Sequence, residues 1–218
     1  MSQLTFKFPF KTNYFEEDFY VSTNNFNAYK LIESWPKWSS RHINIFGPRG
    51  CGKTHLANIF KKKINSFFIK AEELNNNSLP LIKLKECLIV DDYKNNIEEK
   101  LFYSVLNQSH QSNQYVIINT FKPIKSSTVV LNDLKSRFDS FIDIGIDLPT
   151  DDLIRVVLTK NFSDKQIKIE ARLLEYILKN INRSYEDIFD LIDKLDSLSL
   201  SAGKSININL IKKVLNRK

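Results

Sequence analysis

The chain has 218 residues, of which 42% are hydrophobic and 26% charged, proportions that exclude whole-chain disorder. No apolar run is long enough for a transmembrane helix, and Met1 is followed by polar and aromatic residues with Lys7 and Lys11, so no secretory signal or membrane partner is expected. Lys and Arg total 32 against 25 Asp and Glu, a net charge of +7. That excess is compatible with work near nucleic acid, although Lys61-Lys62-Lys63 and Lys212-Lys213 read as solvated helix faces.

In chain order, residues 25–34 suggest a helix and residues 43–46 a short strand. Three of the five glycines then fall within six residues, in Gly47-Pro48-Arg49-Gly50-Cys51-Gly52-Lys53-Thr54. This matches the phosphate-binding pattern G-x-x-x-x-G-K-[ST], in which backbone N–H groups and a helix N-terminus cradle phosphates. A helix over 54–64 follows, as the pattern requires. Lys53 would reach the β- and γ-phosphates, and the Thr54 hydroxyl would ligate Mg²⁺.

Strand candidates recur at 67–70, 88–91, 115–119 and 141–146, with helices at 97–109 and 131–138 between the later ones. Such alternation predicts an α/β core with a parallel five-stranded sheet, its ligand at the carboxyl ends of the strands. Cys87-Leu88-Ile89-Val90-Asp91-Asp92 is an apolar run ending in two carboxylates. Asp91 would hold the metal through water, and Asp92 would orient or deprotonate an attacking water. Cys51 and Cys87 fall at opposite ends of their strands, beyond disulfide reach, and a reducing cytoplasm suits both. His42, His55 and His110 show no metal-ligand spacing, so no zinc is assigned.

After Pro149 the pattern becomes helical. Thr150 can cap a helix opened by Asp151 and Asp152, Ser184 can cap another with Asp187, and 209–216 suggests a last one. The expected organisation is a tail over 1–13, a core over 14–149 and an all-helical domain of about four helices over 150–218.

A phosphate-loop core followed by a helical lid resembles the AAA+ superfamily. Gly52-Lys53-Thr54-His55-Leu56 looks like the phosphate loop of the replication initiator DnaA. Glu17-Asp18-Phe19-Tyr20-Val21, with Asn25 and Ala28, resembles the adenine-side segment of that family. Leu134-Lys135-Ser136-Arg137-Phe138 looks like its box VII, whose arginine acts on nucleotide bound by a neighbouring subunit. Gln3-Leu4-Thr5-Phe6-Lys7-Phe8 is similar to the sliding-clamp-binding peptide that opens the Hda-like members of the family, regulatory inactivators of DnaA; an edge strand of the core would explain its alternation too.

The resemblance implies a regulator of replication initiation in the cytoplasm, associated with the nucleoid. It binds ADP or ATP with Mg²⁺ through Tyr20, Val21, Asn25, residues 47–54, His55 and Asn119. It binds the β subunit of DNA polymerase III, the sliding clamp, through Gln3, Leu4, Phe6 and Phe8. It stimulates hydrolysis of DnaA-bound ATP through Arg137, touches DNA only through the clamp, and leaves self-pairing through Arg137 open. A DnaC-like helicase loader, a cis-acting AAA+ ATPase and a pure adaptor are the alternatives. Sensor 1 would be Asn119 or Thr120. The sensor 2 position carries Glu186 where the family has arginine, with Arg183 three residues earlier, so the chain's own hydrolysis is expected to be weak or absent.

Overall fold

The computed structural model describes residues 14–202 and 205–215. The candidate clamp-binding residues Gln3, Leu4, Phe6 and Phe8 therefore lie outside the described residues. The chain divides into two compact units, one over Tyr14–Asp147 and one from Leu148 onward, two residues before the expected boundary.

In the first unit, β1 (His42–Phe46), β2 (Ser66–Lys70), β3 (Cys87–Tyr93), β4 (Tyr115–Thr120) and β5 (Ile142–Gly145) form one sheet in the order β2-β3-β4-β1-β5. Every pairing is parallel. Parallel strands need crossovers, and α1 (Phe26–Glu33), α2 (Lys53–Lys61), α3 (Leu79–Lys83), α4 (Glu99–Gln111) and α5 (Asn132–Asp139) cover the sheet. Side-chain parity divides the two faces. Leu88, Val90, Val116 and Ile118 pack with Phe102, Val105 and Leu106 of α4 and Leu134 and Phe138 of α5. Ile43, Ile45, Ile89 and Ile117, of the other parity, are also fully buried, as are Leu56, Ala57 and Phe60 of α2. With both faces covered, the central strands β1, β3 and β4 are buried almost throughout, which is why the sequence betrays them. The short α3, opened by Pro80 in its first turn, was not expected. Five residues are too few for an apolar period to show.

One irregularity interrupts the sheet. Val90 pairs with Ile118, but Tyr93 pairs with Thr120, so β3 carries an extra residue at Asp91-Asp92. Asp92 takes φ +60°, a left-handed conformation that aspartate tolerates better than most residues.

The second unit holds four helices among its described residues: α6 (Asp151–Asp164), α7 (Ala171–Asn180), α8 (Tyr185–Ala202) and α9 (Ile208–Leu215). Thr150 Oγ1 accepts from Leu153 N at 3.3 Å, and Ser184 Oγ accepts from Asp187 N at 3.1 Å, the two caps expected. Ile154, Leu158 and Phe162 of α6 and Ile188, Leu191, Ile192 and Leu195 of α8 meet in one core with Ile177 and Ile211. No described helix is long and apolar enough to cross a membrane.

At the amino ends of the strands, His42 is buried with its ring 5.2 Å from that of Phe141 and 5.7 Å from that of His110. Burial, then the His110 and Arg137 charges, pull its pKa down to about 4. Between the ordinary histidine value of about 6.5 and that value, the unfolded chain takes up a proton that the folded one refuses. Stability should therefore fall as the pH drops through this window. Urea midpoints measured from pH 7 to pH 4 should show a steeper loss for the wild type than for His42→Gln.

Candidate functional site

The loop over residues 47–54 leaves the carboxyl end of β1 and closes into α2. It depends on bare backbone at two points. A Cβ at Gly47 would sit 2.5 Å from the carbonyl oxygen of Ile146, and one at Gly52 would sit 2.9 Å from the Phe19 ring. Gly52 also holds φ +101° as the N-cap of α2, with its carbonyl accepting from Leu56 N at 2.9 Å. First-turn amides of a helix have no intrahelical partner, so the start of α2 presents donors and a positive dipole end. Lys53 Nζ donates to the carbonyls of Gly47 and Pro48, both at 2.8 Å, and lies 3.7 Å from Cys51 Sγ. Burial pushes the Cys51 thiol pKa up, so it behaves as packing and not as a nucleophile. Both cysteines are free and buried. Arg49 and Gly50 are exposed.

Behind the loop, Thr54 Oγ1 lies 2.9 and 3.1 Å from the two carboxylate oxygens of Asp91 and donates to it. Asn119 Nδ2 donates to Asp91 Oδ1 at 2.7 Å. Three elements, α2, β3 and β4, thus converge on one carboxylate that is 6% exposed. The same geometry separates the two sensor 1 candidates. Thr120 Oγ1 turns away, accepting from Asn44 Nδ2 at 2.9 Å and donating to the Lys122 carbonyl at 2.6 Å. Asn119 Oδ1 is buried without a hydrogen-bond partner, an acceptor that a bound cation's water could satisfy.

Among the described residues, no three His, Cys, Asp or Glu side chains converge to hold a metal. The hard oxygen donors of Thr54 and Asp91 fit Mg²⁺, which takes one or two protein ligands and completes its shell with phosphates and water.

Asp92 is not part of this cluster. The extra residue in β3 turns it outward, where its carboxylate meets Lys94 Nζ at 2.6 Å. The adenine-side segment is held by Asn25, whose Nδ2 donates to the Tyr20 carbonyl at 2.9 Å and whose Oδ1 accepts from Ser22 N at 2.8 Å. Tyr20 is exposed and Val21 half-buried. The Phe19 ring lies 5.3 Å from that of His55, and His55 Nε2 is 2.6 Å from the Phe15 carbonyl oxygen, so residues 15–25 are fastened to the start of α2.

Arg137 lies elsewhere, in the last turn of α5 and near the amino ends of the strands, with Nη2 donating to Asn107 Oδ1 of α4 at 2.7 Å. In the second unit, Glu186 is exposed in the first turn of α8. Arg183 is engaged bidentately by Asp151, at 2.8 and 3.0 Å. That pair ties the start of α6 to the turn before α8. The partner Asp151 was not foreseen, because the two residues are 32 positions apart and no local period links them.

A family profile described as "Hda, lid domain" matches residues 151–215. The chromosomal replication initiator protein DnaA of Borreliella afzelii is 25% identical over 238 aligned residues, covering 96% of this chain and 49% of that protein. The chain thus spans about half the length of the curated relatives it matches. Domain III of the Thermotoga maritima replication initiation protein DnaA superposes with a TM-score of 0.78 at 18% identity, covering 96% of this chain and 98% of that one. AMPPCP-bound DnaA from Aquifex aeolicus gives 0.65 at 21% identity, covering 87% and 67%. The chain is a DnaA- and Hda-related AAA+ protein, with an α/β core followed by a helical lid.

The loop's geometry can be tested through its glycine cap. Gly52→Ala must adopt the left-handed conformation and displace the Phe19 ring, a loss of about 1–2 kcal/mol for the backbone alone. Urea unfolding followed by tryptophan fluorescence should report a destabilisation of at least that size.

Proposed function

We propose that this DnaA- and Hda-related AAA+ protein restrains replication initiation by lending Arg137 to ATP bound on DnaA, while its own loop holds an adenine nucleotide. The observation that carries this reading is the distance between the two sites within one core. The loop and Asp91 belong to the carboxyl ends of the strands. Arg137 sits toward the amino ends, a strand length of roughly 15 Å away. Its guanidinium is therefore out of reach of phosphates in its own loop and is available to another molecule's.

ADP or ATP would be cradled by the backbone of Gly47, Gly50 and Gly52 and by Lys53, with Thr54 and Asp91 toward Mg²⁺ and Asn119 beside them. Bound Mg²⁺ would neutralise phosphate charge there. Asn25 shapes the segment carrying Tyr20 and Val21 on the adenine side. Asp92, turned outward onto Lys94, leaves this site without the base that turnover needs, so the chain's own hydrolysis is slow. The residues Gln3, Leu4, Phe6 and Phe8 would dock on the sliding clamp, so that DNA is reached through the clamp. An arginine supplied in trans stabilises charge on the transferring phosphoryl group and contributes roughly 10³–10⁵ in rate. Hydrolysis then leaves DnaA with ADP and releases phosphate.

Phosphate release from DnaA–ATP, measured with clamp loaded on DNA, should fall by about two orders of magnitude or more with Arg137→Ala. Undiminished release would remove the role assigned to that residue. Gln3→Ala should weaken clamp affinity about ten-fold, the loss of a charge-free anchoring hydrogen bond in a peptide groove. An unchanged affinity would return the tail to a structural part.

A further inference from the structure

Two adjacent asparagines, Asn24 and Asn25, are buried where the chain enters α1. Burying an amide side chain costs stability unless its polar atoms are bonded. Local helix chemistry does not explain the pair. Asn25 is the N-cap of α1, yet its side chain caps no amide of that helix. The bonds run elsewhere. Asn25 Nδ2 donates to the Tyr20 carbonyl at 2.9 Å, and its Oδ1 accepts from Ser22 N at 2.8 Å. Ser22 Oγ donates in turn to Asn24 Oδ1. Asn24 then engages both backbone groups of Asp147. Its Nδ2 donates to the Asp147 carbonyl at 3.2 Å, and its own carbonyl accepts from Asp147 N at 3.1 Å. A hydrogen-bonded path thus leads from Tyr20, on the adenine side, to Asp147.

Asp147 is where the first unit ends. One residue earlier, Ile146 N still donates to the Phe46 carbonyl of β1 at 2.8 Å. Leu148 and Pro149 then lead to Thr150, the cap of α6. Asn24 therefore fixes the chain at its exit from the core. The phosphate loop meets this stretch through Gly47, whose bare backbone packs on the Ile146 carbonyl. In the helical unit, Glu186 is a carboxylate and Arg183 has its fork on Asp151, so neither offers a free cation to a third phosphate.

We infer that this chain reads a bound nucleotide at the adenine and not at the last phosphate: Asn24 couples the segment carrying Tyr20 and Val21 to Asp147, so ADP and ATP fix the exit of the chain from the core equally. An adenine packed against that segment removes its freedom, and the shared hydrogen bonds carry the ordering to Asp147. This rests on the loop holding an adenine nucleotide, as proposed above, and adds which part of the nucleotide acts. Such a response needs no hydrolysis in the chain's own site, in keeping with the outward turn of Asp92.

The test uses the full chain and reads amide hydrogen exchange at Asp147, whose N–H makes the bond to Asn24. ADP and AMPPCP, each saturating with Mg²⁺, should slow that exchange about ten-fold, and equally within about two-fold. Tripolyphosphate at millimolar concentration should leave it unchanged. In Asn24→Ala both nucleotides should lose this effect. By linkage their affinities should fall by one shared factor of no more than about ten, with tripolyphosphate affinity intact, whereas a merely structural loss would weaken all three. Asn24→Asp, which keeps the side chain's size but turns an acceptor toward the Asp147 carbonyl, serves if alanine lowers the thermal midpoint. The inference is overturned if ADP binds without slowing exchange at Asp147, if Asn24→Ala keeps the ADP effect, or if tripolyphosphate acts as ADP does. ADP and AMPPCP effects that differ by more than about five-fold would overturn it too. ADP that neither binds nor protects the amides of Gly52, Lys53 and Thr54 would instead overturn the nucleotide site proposed above, and this inference with it.

Discussion

A buried carboxylate needs donors around it, and this core is arranged to supply them to Asp91. Thr54 reaches it from the first turn of α2 and Asn119 from the end of β4, so three elements distant in sequence are bound to one oxygen pair. Removing water from a charged group costs several kcal/mol unless hydrogen bonds replace it. The geometry of the loop, the helix and the two central strands is therefore coupled through this point. The loop's own curvature is maintained separately, by Lys53 on the carbonyls of Gly47 and Pro48.

The parallel sheet assigns different tasks to its two ends. Carboxyl ends gather the glycine loop, Asp91 and Asn119, as open α/β sheets generally gather their ligands. The amino ends gather His42, Phe141, the last turn of α5 and the C-terminal half of α4. One core can thus accept a nucleotide at one end and offer a cation at the other. Most buried strand residues between the two ends are apolar, and the exception, Asn44, spends its amide on the Ile118 carbonyl, Thr120 Oγ1 and Ile124 N.

Much of this was legible from residues alone. The three central strands were readable because both faces are buried, and the loop because its glycines are forced by close contacts with Ile146 and Phe19. The caps at Thr150 and Ser184 were readable because capping is local. What could not be read depends on which way a side chain turns. Asn119 and Thr120 are adjacent and both polar; only the register of β4 against β1 and β3 decides which meets Asp91. The outward turn of Asp92 follows from an extra residue in β3, for which two consecutive aspartates give no warning. The pairing of Arg183 with Asp151 and of Arg137 with Asn107 joins residues about 30 positions apart, and no periodicity encodes such contacts.

The irregularity in β3 also explains why Asp92 is there. Asp91 belongs to the side of the sheet that carries Thr54, whereas Tyr93, only two positions on, packs with Phe102 and Phe138 on the side of α4 and α5. An unbroken strand would send both to the same side. Asp92 is the spacer that lets them part company, and its outward carboxylate is a by-product of that service. Exchange of one residue for another at this spot would keep that spacing. Shortening or lengthening the stretch by a single codon would pull the acid out of its socket or the tyrosine out of the oily layer beneath, whichever the strand chose to keep.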